Sequence, residues 1–463
     1  MPSRQDQLHS YQYSLQRVVA ALVTHDPDPA RSPLRRAGTT ALVSLLIAAL
    51  AVGGAAIYGL LTGHSNVDPT DANVVFQEKG SGARYVYLES DARLHPVLNY
   101  TSGLLLSGGQ TPTLKSISAD KLASVQLGPP LGIPDAPDTL PATGALLTDR
   151  WSVCTDNQGE EGTTRSTLLV GHKLTDGTVA QRAGEALLVR EQSGRVALVF
   201  DNKRFTIPGD RLDATLRVLG YADKVPWPVS TAWANAVPLA GALAGPAVPG
   251  AGAGTTFGDL LVGQVVTGSG GFAVILPDGI APITETQAKL MQAAPGGRPP
   301  TQIGGDFISL PASKTRLSDS GSATGLPPTP PPLHAGNPAQ LCMTLPVDPK
   351  TGDGIRIDPN APTGVAVPTG EVTPGVVLAD SVYVARGKGV VAVAAASPTA
   401  PAGSGTVSIV TDTGRSYPLA GRELLAKLGY GKTKPQQIPS ELVSLLPTGP
   451  SLDPARARQT DVP

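Results

Sequence analysis

Residues 37–63 form a run of 27 positions without one charged side chain, and that run constrains everything around it. Its centre, Ala41-Leu42-Val43-Ser44-Leu45-Leu46-Ile47-Ala48-Ala49-Leu50-Ala51-Val52, is almost wholly apolar. At a rise of ~1.5 Å per residue, about 20 helical residues cross the hydrocarbon core, so the run spans a bilayer with room for tilt. A cleaved signal peptide has an apolar region of about 7–15 residues close to the start and a small-x-small cleavage site. Here 36 residues precede the run, and its far end carries Tyr58, Leu60 and Leu61. An uncleaved anchor fits better than a signal peptide or a buried core helix. Arg31, Arg35 and Arg36 precede the span, whereas residues 64–78 contain no Lys or Arg. Positive charge stays inside. The expectation is a single-pass protein of the cytoplasmic membrane, its N-terminus cytoplasmic and the bulk of the chain extracytoplasmic.

The segment before the span, residues 1–36, carries its own pattern. Leu8, Tyr11, Leu15, Val18, Val19 and Leu22 recur at spacings of three and four, the stripe of an amphipathic helix over residues 4–24. Asp26-Pro27-Asp28-Pro29 stops it, because proline cannot continue a helix and biases its predecessor away from the α region. The expectation is a short cytoplasmic helix with no domain behind it to cover the stripe. It either lies on lipid or docks on a partner, and Leu8, Tyr11, Leu15, Val18 and Leu22 are its candidate docking residues.

Beyond the span, Gly (53) and Pro (45) make up about a fifth of the 463 residues. That is above average usage of roughly 12% and below the ~25–30% of low-complexity chains. Cores must come from Val, Leu, Ile and Ala, since hydrophobic residues reach 41% but aromatics only 4%. A net charge of −1 argues against a broad nucleic-acid footprint.

The outer region repeats one order of elements. Residues 195–200 read as a strand, Asp201-Asn202-Lys203 as a turn and 204–208 as a second strand. A helix with Leu212, Leu216 and Leu219 on one face follows, closed by Gly220-Tyr221. Residues 407–410, Thr411-Asp412-Thr413-Gly414, 415–419 and a helix with Leu424, Leu425 and Leu428, closed by Gly429-Tyr430, repeat that order. Glycine after the last periodic residue suits a left-handed C-cap. Two weaker copies surround Asp91 and Asp278, the latter with Thr284 as the N-cap of a helix through Met291. The turn aspartates 91, 201, 278 and 412 are 110, 77 and 134 residues apart, too uneven for a regular solenoid. The fold class is α+β, with four small β/α repeat domains and long insertions. Strands at 151–154, 167–170, 186–190, 260–266, 341–343 and 376–384 are expected to assemble one central sheet. The boundaries read as 37–63 for the span, then repeat domains at 64–148, 195–250, 271–335 and 405–452. The central domain takes 149–194, 251–270 and 336–404, and 453–463 reads as a disordered tail. Segments 249–255, 327–332 and 396–405 are linkers.

Cys154 and Cys342 are the two cysteines. In an exported chain a lone pair favours a disulfide; two inert buried thiols are the alternative. The chemistry expected elsewhere is sparse. The six histidines lack metal-ligand spacing, no Gly-x-Ser-x-Gly elbow occurs, and no catalytic, cofactor-binding or metal residue is assigned. The nearest approach to a phosphate loop, Gly431-Lys432-Thr433, has Ala426 where the first glycine belongs. His95, before Pro96, is expected to make a structural hydrogen bond.

Several stretches carry a family likeness: Arg4-Gln5-Asp6-Gln7-Leu8, Ser32-Pro33-Leu34-Arg35-Arg36, Ala83-Arg84-Tyr85-Val86-Tyr87-Leu88, Leu94-His95-Pro96-Val97-Leu98-Asn99-Tyr100-Thr101-Ser102, and Trp-x-x-Cys at Trp151. The sequence resembles the EccB family, a membrane core component of type VII (ESX) secretion systems, in order along essentially the whole chain. The resemblance implies a cytoplasmic helix, one span and an elongated outer part of four repeat domains around a disulfide-linked central domain. It also implies a structural role in a complex with EccC, EccD, EccE and a mycosin protease, with homo-oligomers through the outer domains. Some members of the family carry an ATPase label. A membrane-anchored ATPase and a cell-wall-binding module are therefore the competing expectations.

Overall fold

The computed structural model describes residues 3–25, 33–62, 67–159, 163–179, 184–268, 271–304, 309–317, 325–348, 350–351, 353–368, 375–396, 400–401 and 404–459. The expected helix stop at 26–29 lies outside these residues, as do Arg31, Ser32, His64 and parts of the 396–405 linker. Helix α1 (Arg4–Thr24) starts with a capping box: the Ser3 hydroxyl accepts from the Asp6 amide, and the Asp6 carboxylate accepts from the Ser3 amide. Helix α2 (Pro33–Thr62) begins on a proline, whose missing N–H is harmless in a first turn. Within it, Gly38–Gly59 is long and apolar enough to cross a membrane, and its side chains are exposed, as lipid-facing ones must be. These features fit a single-pass membrane protein.

Past the span the described residues build five sheets. Strands β1 (Val74–Glu78), β2 (Arg84–Leu88) and β3 (Arg93–Pro96) form an antiparallel meander. Helix α3 (Tyr100–Leu106) then crosses over and β4 (Thr113–Ile117) returns parallel to β1, giving the order β3-β2-β1-β4. Helix α4 (Ala119–Leu122) follows. Strands β5 (Trp151–Asp156), β6 (Arg165–Leu169) and β7 (Thr178–Val179) open a central sheet. Next, β8 (Leu187–Glu191), β9 (Val196–Phe200), β10 (Lys203–Thr206), α5 (Leu212–Leu219) and β11 (Trp227–Val229) reproduce the meander, crossover and parallel return. Helix α6 (Thr231–Ala236) and an added edge strand, β12 (Leu239–Ala242), complete that sheet. Strands β13 (Val265–Gly268), β14 (Gly271–Leu276) and β15 (Gly279–Ile283), helix α7 (Glu285–Gln292) and β16 (Thr301–Gln302) do the same a third time. The central sheet then resumes with β17 (Gln340–Asp348), β18 (Asp353–Ile357), β19 (Val365–Ala366) and β20 (Ser381–Tyr383). A fourth small sheet uses β21 (Val390–Ala395), β22 (Val407–Val410), β23 (Ser416–Pro418), α8 (Leu424–Lys427) and β24 (Gln436–Pro439). Helices α9 (Ser440–Val443) and α10 (Pro454–Ala457) close the described chain.

Local chemistry accounts for these shapes. Asp201 and Asn202 both have positive φ, 50° and 56°, the two-residue hairpin geometry that matches strand twist. Thr284 caps α7 with a capping box to Gln287. In every small sheet the third strand would be an open edge, and an extended segment covers it: 127–131 on β3, β12 on β10, Ala312 beside β15, and 448–452 on β23. That removes a template for unwanted pairing.

The central sheet has the order β19-β20-β6-β5-β17-β18-β7. In the middle pair Cys154 stands directly opposite Cys342, and the two are disulfide-bonded. Alternation along the strands sends Trp151, Val153, Leu341 and Met343 into a core with Trp233, Val390 and Ala392, while the cysteines face Leu169 and Leu174. The first and fourth small sheets share one core, which includes Leu104, Leu105, Leu424 and Leu428. The second and third meet through α5 and α7, with Leu290 against Leu216 and Leu219. The segments leading into β5 and β17 are crossed over: Leu146 bridges to Gly389, just before β21, and Leu333 bridges to Ala186, just before β8.

Three expectations change. Residues 186–190 and 260–266 were assigned to the central sheet, but β8 and β13 are the first strands of the second and third small sheets. The second small sheet therefore begins before residue 195, inside 149–194, and the third inside 251–270. Strand β21, inside 336–404, likewise belongs to the fourth small sheet. The reason is pairing: each meander needs three antiparallel strands, and these runs supply the missing one. The stretch read as a disordered tail from 453 contains α10, capped by the Asp453 carboxylate on the Ala455 amide, with Ala457 buried in the shared core.

Candidate functional site

Helix α1 places its stripe as the periodicity requires. At about 100° per residue, Leu8, Tyr11, Leu15, Val18 and Leu22 fall within an arc of about 80°. All five are exposed, between 46% and 75%. Ala20, about 120° or more away round the helix, is buried (4%), and α1 touches α2. The apolar face is left uncovered while another face packs. Arg17 lies over the Tyr13 ring, 5.8 Å from its centroid, off the stripe.

Past the span the polar residues of the distinctive words are holding structure together. His95 is buried with both ring nitrogens facing oxygens, Nδ1 to the Pro129 carbonyl at 2.8 Å and Nε2 to Asp91 at 3.0 Å. Asn99 caps α3 through the Ser102 amide and donates its Nδ2 hydrogen to the Ile133 carbonyl, while the Ile133 amide donates to the Ser102 hydroxyl. The Thr101 hydroxyl donates to the Pro137 carbonyl. Together these bonds fasten residues 129–137 to α3 and β3.

The two Leu-Gly-Tyr endings do equivalent work. Gly220 and Gly429 take φ of 83° and 89°, and the amides of Tyr221 and Tyr430 donate back to the carbonyls of Leu216 and Leu425. Each phenol then donates to a proline carbonyl on a distant strap, Tyr221 to Pro331 and Tyr430 to Pro141, both at 2.6 Å. Sequence reading found the endings but not their acceptors, which lie 110 and 289 residues away and leave no local signal. Burial pushes the Tyr221 phenol up to about 12 and that of Tyr430 higher still. A raised folded value means that the neutral phenol is favoured on folding. The clasp's contribution is therefore intact below the ordinary tyrosine value of 10 and is lost as pH rises through about 12. Tyr221→Phe leaves the Pro331 carbonyl without its donor. It should lower stability by about 1–3 kcal/mol in denaturant unfolding and abolish the alkaline sensitivity of that clasp.

Lys432 is exposed in a turn after α8, and the Thr433 amide donates to the Tyr430 carbonyl. A phosphate loop instead joins a strand to a helix. Among the described residues no group of three or more His, Cys, Asp or Glu is placed to hold a metal.

The family model described as "Type VII secretion system ESX-1, transport TM domain B" matches residues 1–462. The chain is 27% identical to "ESX-3 secretion system ATPase EccB3" of Mycolicibacterium smegmatis, over 96% of this chain and 88% of that protein. It is also 27% identical to "ESX-1 secretion system ATPase EccB1" of Mycobacterium tuberculosis, over 96% and 92%. Among solved structures, the EccB3 dimer from the ESX-3 core complex superimposes with a TM-score of 0.61 at 25% identity, covering 84% of this chain and 100% of that one. A chain of an intact ESX-5 inner membrane complex gives a TM-score of 0.63 at 22% identity, covering 100% and 96%, a likeness of fold.

Proposed function

Because this chain belongs to the EccB family of type VII secretion systems, whose family model matches residues 1–462, we propose that it is a structural core subunit of an ESX membrane complex supporting protein export. The match along the whole chain, span included, carries this reading. In it, α1 is cytoplasmic, α2 crosses once, and the outer region is four repeat domains, each built on one small sheet, around the disulfide-bonded central domain. The arginines at 31, 35 and 36 support that orientation. An exported phosphatase fused at Leu34 should be inactive and one fused at Gly108 active; the reverse pattern would overturn the orientation.

The uncovered stripe of α1 is the docking element for cytoplasmic neighbours, of which EccC, EccD and EccE are the expected ones. A mycosin protease is a further expected partner of the complex, and a second copy of this chain is expected to associate through the outer domains. Leu15→Asp puts a carboxylate in the middle of the apolar contact, where burying it unpaired costs several kcal/mol or forces protonation. Motor and channel subunits should then fail to co-purify and secretion should stop, with the outer region still folded and disulfide-bonded. A lipid-lying helix would only be weakened by one change among its apolar positions. An unchanged complex with normal secretion therefore removes the docking role. The relatives' names include "ATPase", whereas Lys432 here stands in an exposed turn. ATP turnover by the full chain at roughly 1–10³ per second, lost in Lys432→Ala, would overturn the structural reading.

A further inference from the structure

Where the first and fourth small sheets meet, a cleft of about 200 Å³ opens between Tyr100, Leu140, Pro141, Lys427 and Tyr430. Its walls are mixed, with the apolar side chains of Leu104, Leu140 and Leu428 beside polar groups, and Lys427 is the cation among its lining residues. Burial, and then the positive charge of Arg458, hold the Lys427 amine below the ordinary lysine value. Among the described residues neither the Lys427 nor the Arg458 side chain has an ion pair or hydrogen bond. The Tyr430 phenol offers no compensating charge, because its hydrogen is committed to the Pro141 carbonyl and burial keeps it neutral. Lys427 is half-buried in the cleft lining, while Arg458 lies outside that lining and adds a second positive charge nearby, a balance that an anion in the cleft would complete.

We propose that this cleft binds a small anion, a phosphate or carboxylate carried on an apolar body, with Lys427 as its contact and Arg458 supplying the second charge. The size fits that class. Drug-sized ligands occupy roughly 300–1,000 Å³, so a cleft of about 200 Å³ suits something smaller. A headgroup with a short apolar stem fits, and a nucleotide does not. Bound there, the anion ties α8 to α3 and to the strap through Pro141. It would thereby stiffen the joint between the fourth sheet and the sheet that follows the span.

The test is calorimetric titration of the full chain in detergent with inorganic phosphate, butyl phosphate and butyrate, repeated with Lys427→Met, Arg458→Gln and, as a control, Lys432→Met. At least one probe should bind saturably. Lys427→Met should weaken it by about tenfold or more, as the loss of a charge-assisted contact does. Arg458→Gln, at an exposed position outside the core, should weaken it less, and Lys432→Met should leave it unchanged. Equal affinity for inorganic and butyl phosphate identifies a free anion as the occupant, and tighter binding of butyl phosphate or butyrate identifies a lipid-like or acyl one. No saturable binding of any probe, or binding indifferent to both Lys427→Met and Arg458→Gln, overturns the proposal.

Discussion

Arg204→Met is expected to destabilise the domains past the span by about 3–5 kcal/mol, the usual consequence of stranding one partner of a buried ion pair. Glu191 ends β8 with a side chain only 1% exposed. Arg204, on β10, reaches it from two strands away and is itself 8% exposed. Arg195 also bonds Glu191, at 2.6 Å, but is 61% exposed, so solvent screens most of what it can offer. Removing Arg204 leaves a carboxylate inside the second sheet with only that exposed partner and the Ser193 hydroxyl, which donates to its Oε2 at 3.3 Å. The check is urea unfolding of Arg204→Met beside the double variant Glu191→Leu/Arg204→Met. The double variant should recover most of the loss, because an apolar pair of similar volume needs no compensation. A single variant within about 1 kcal/mol of wild type would overturn the account of a buried ion pair.

Cys342→Ala should cost on the order of 2–5 kcal/mol, as the loss of native disulfides does. The bond joins residues 188 positions apart, and in the chain-entropy account a loop that long contributes roughly 5 kcal/mol. The register from Gln340↔Asp156 to Leu345↔Trp151 does not depend on the sulfurs, so the variant should keep its fold and lose denaturant resistance. A non-reducing peptide map finding both thiols free in the wild-type chain, or an unchanged unfolding midpoint, would refute this.

How far the sequence discloses the molecule depends on how local each signal is. The span and the stripe of α1 are legible because their periods lie within one helix. The Asp201-Asn202 hairpin and the Leu-Gly-Tyr endings are legible because turn chemistry is confined to a few residues. Strands β8 and β13 defeat such reading: a short apolar run looks the same whichever sheet it joins, and only pairing with β9 or β14 decides. The parallel returns are harder still. Strand β4 is mostly exposed, and β11 and β24 contain proline, so propensity argues against them while the open edge of β1, β8 or β21 accepts them. Helix α10 is invisible for a related reason, since Ala457 has an apolar neighbourhood only once the first and fourth sheets have met. The stripe on α1 was readable as a surface, but what covers it is not written in this chain.

The crossed straps have a consequence in time. A polypeptide is completed from its N-terminus, yet β5 finds β17 nearly 190 positions later, and the strap through Pro141 waits for Tyr430. The second sheet, although complete as a meander by residue 229, has its strap only when Pro331 arrives. Contacts this remote in sequence form slowly, and until they form the middle strand of the central sheet presents an open edge. Closure of the region past the span is therefore late and stepwise: the second sheet's strap and the central pair can close once residues 331–345 exist, and the Pro141 strap only after Tyr430. A nascent chain has to be kept from pairing wrongly for most of its length.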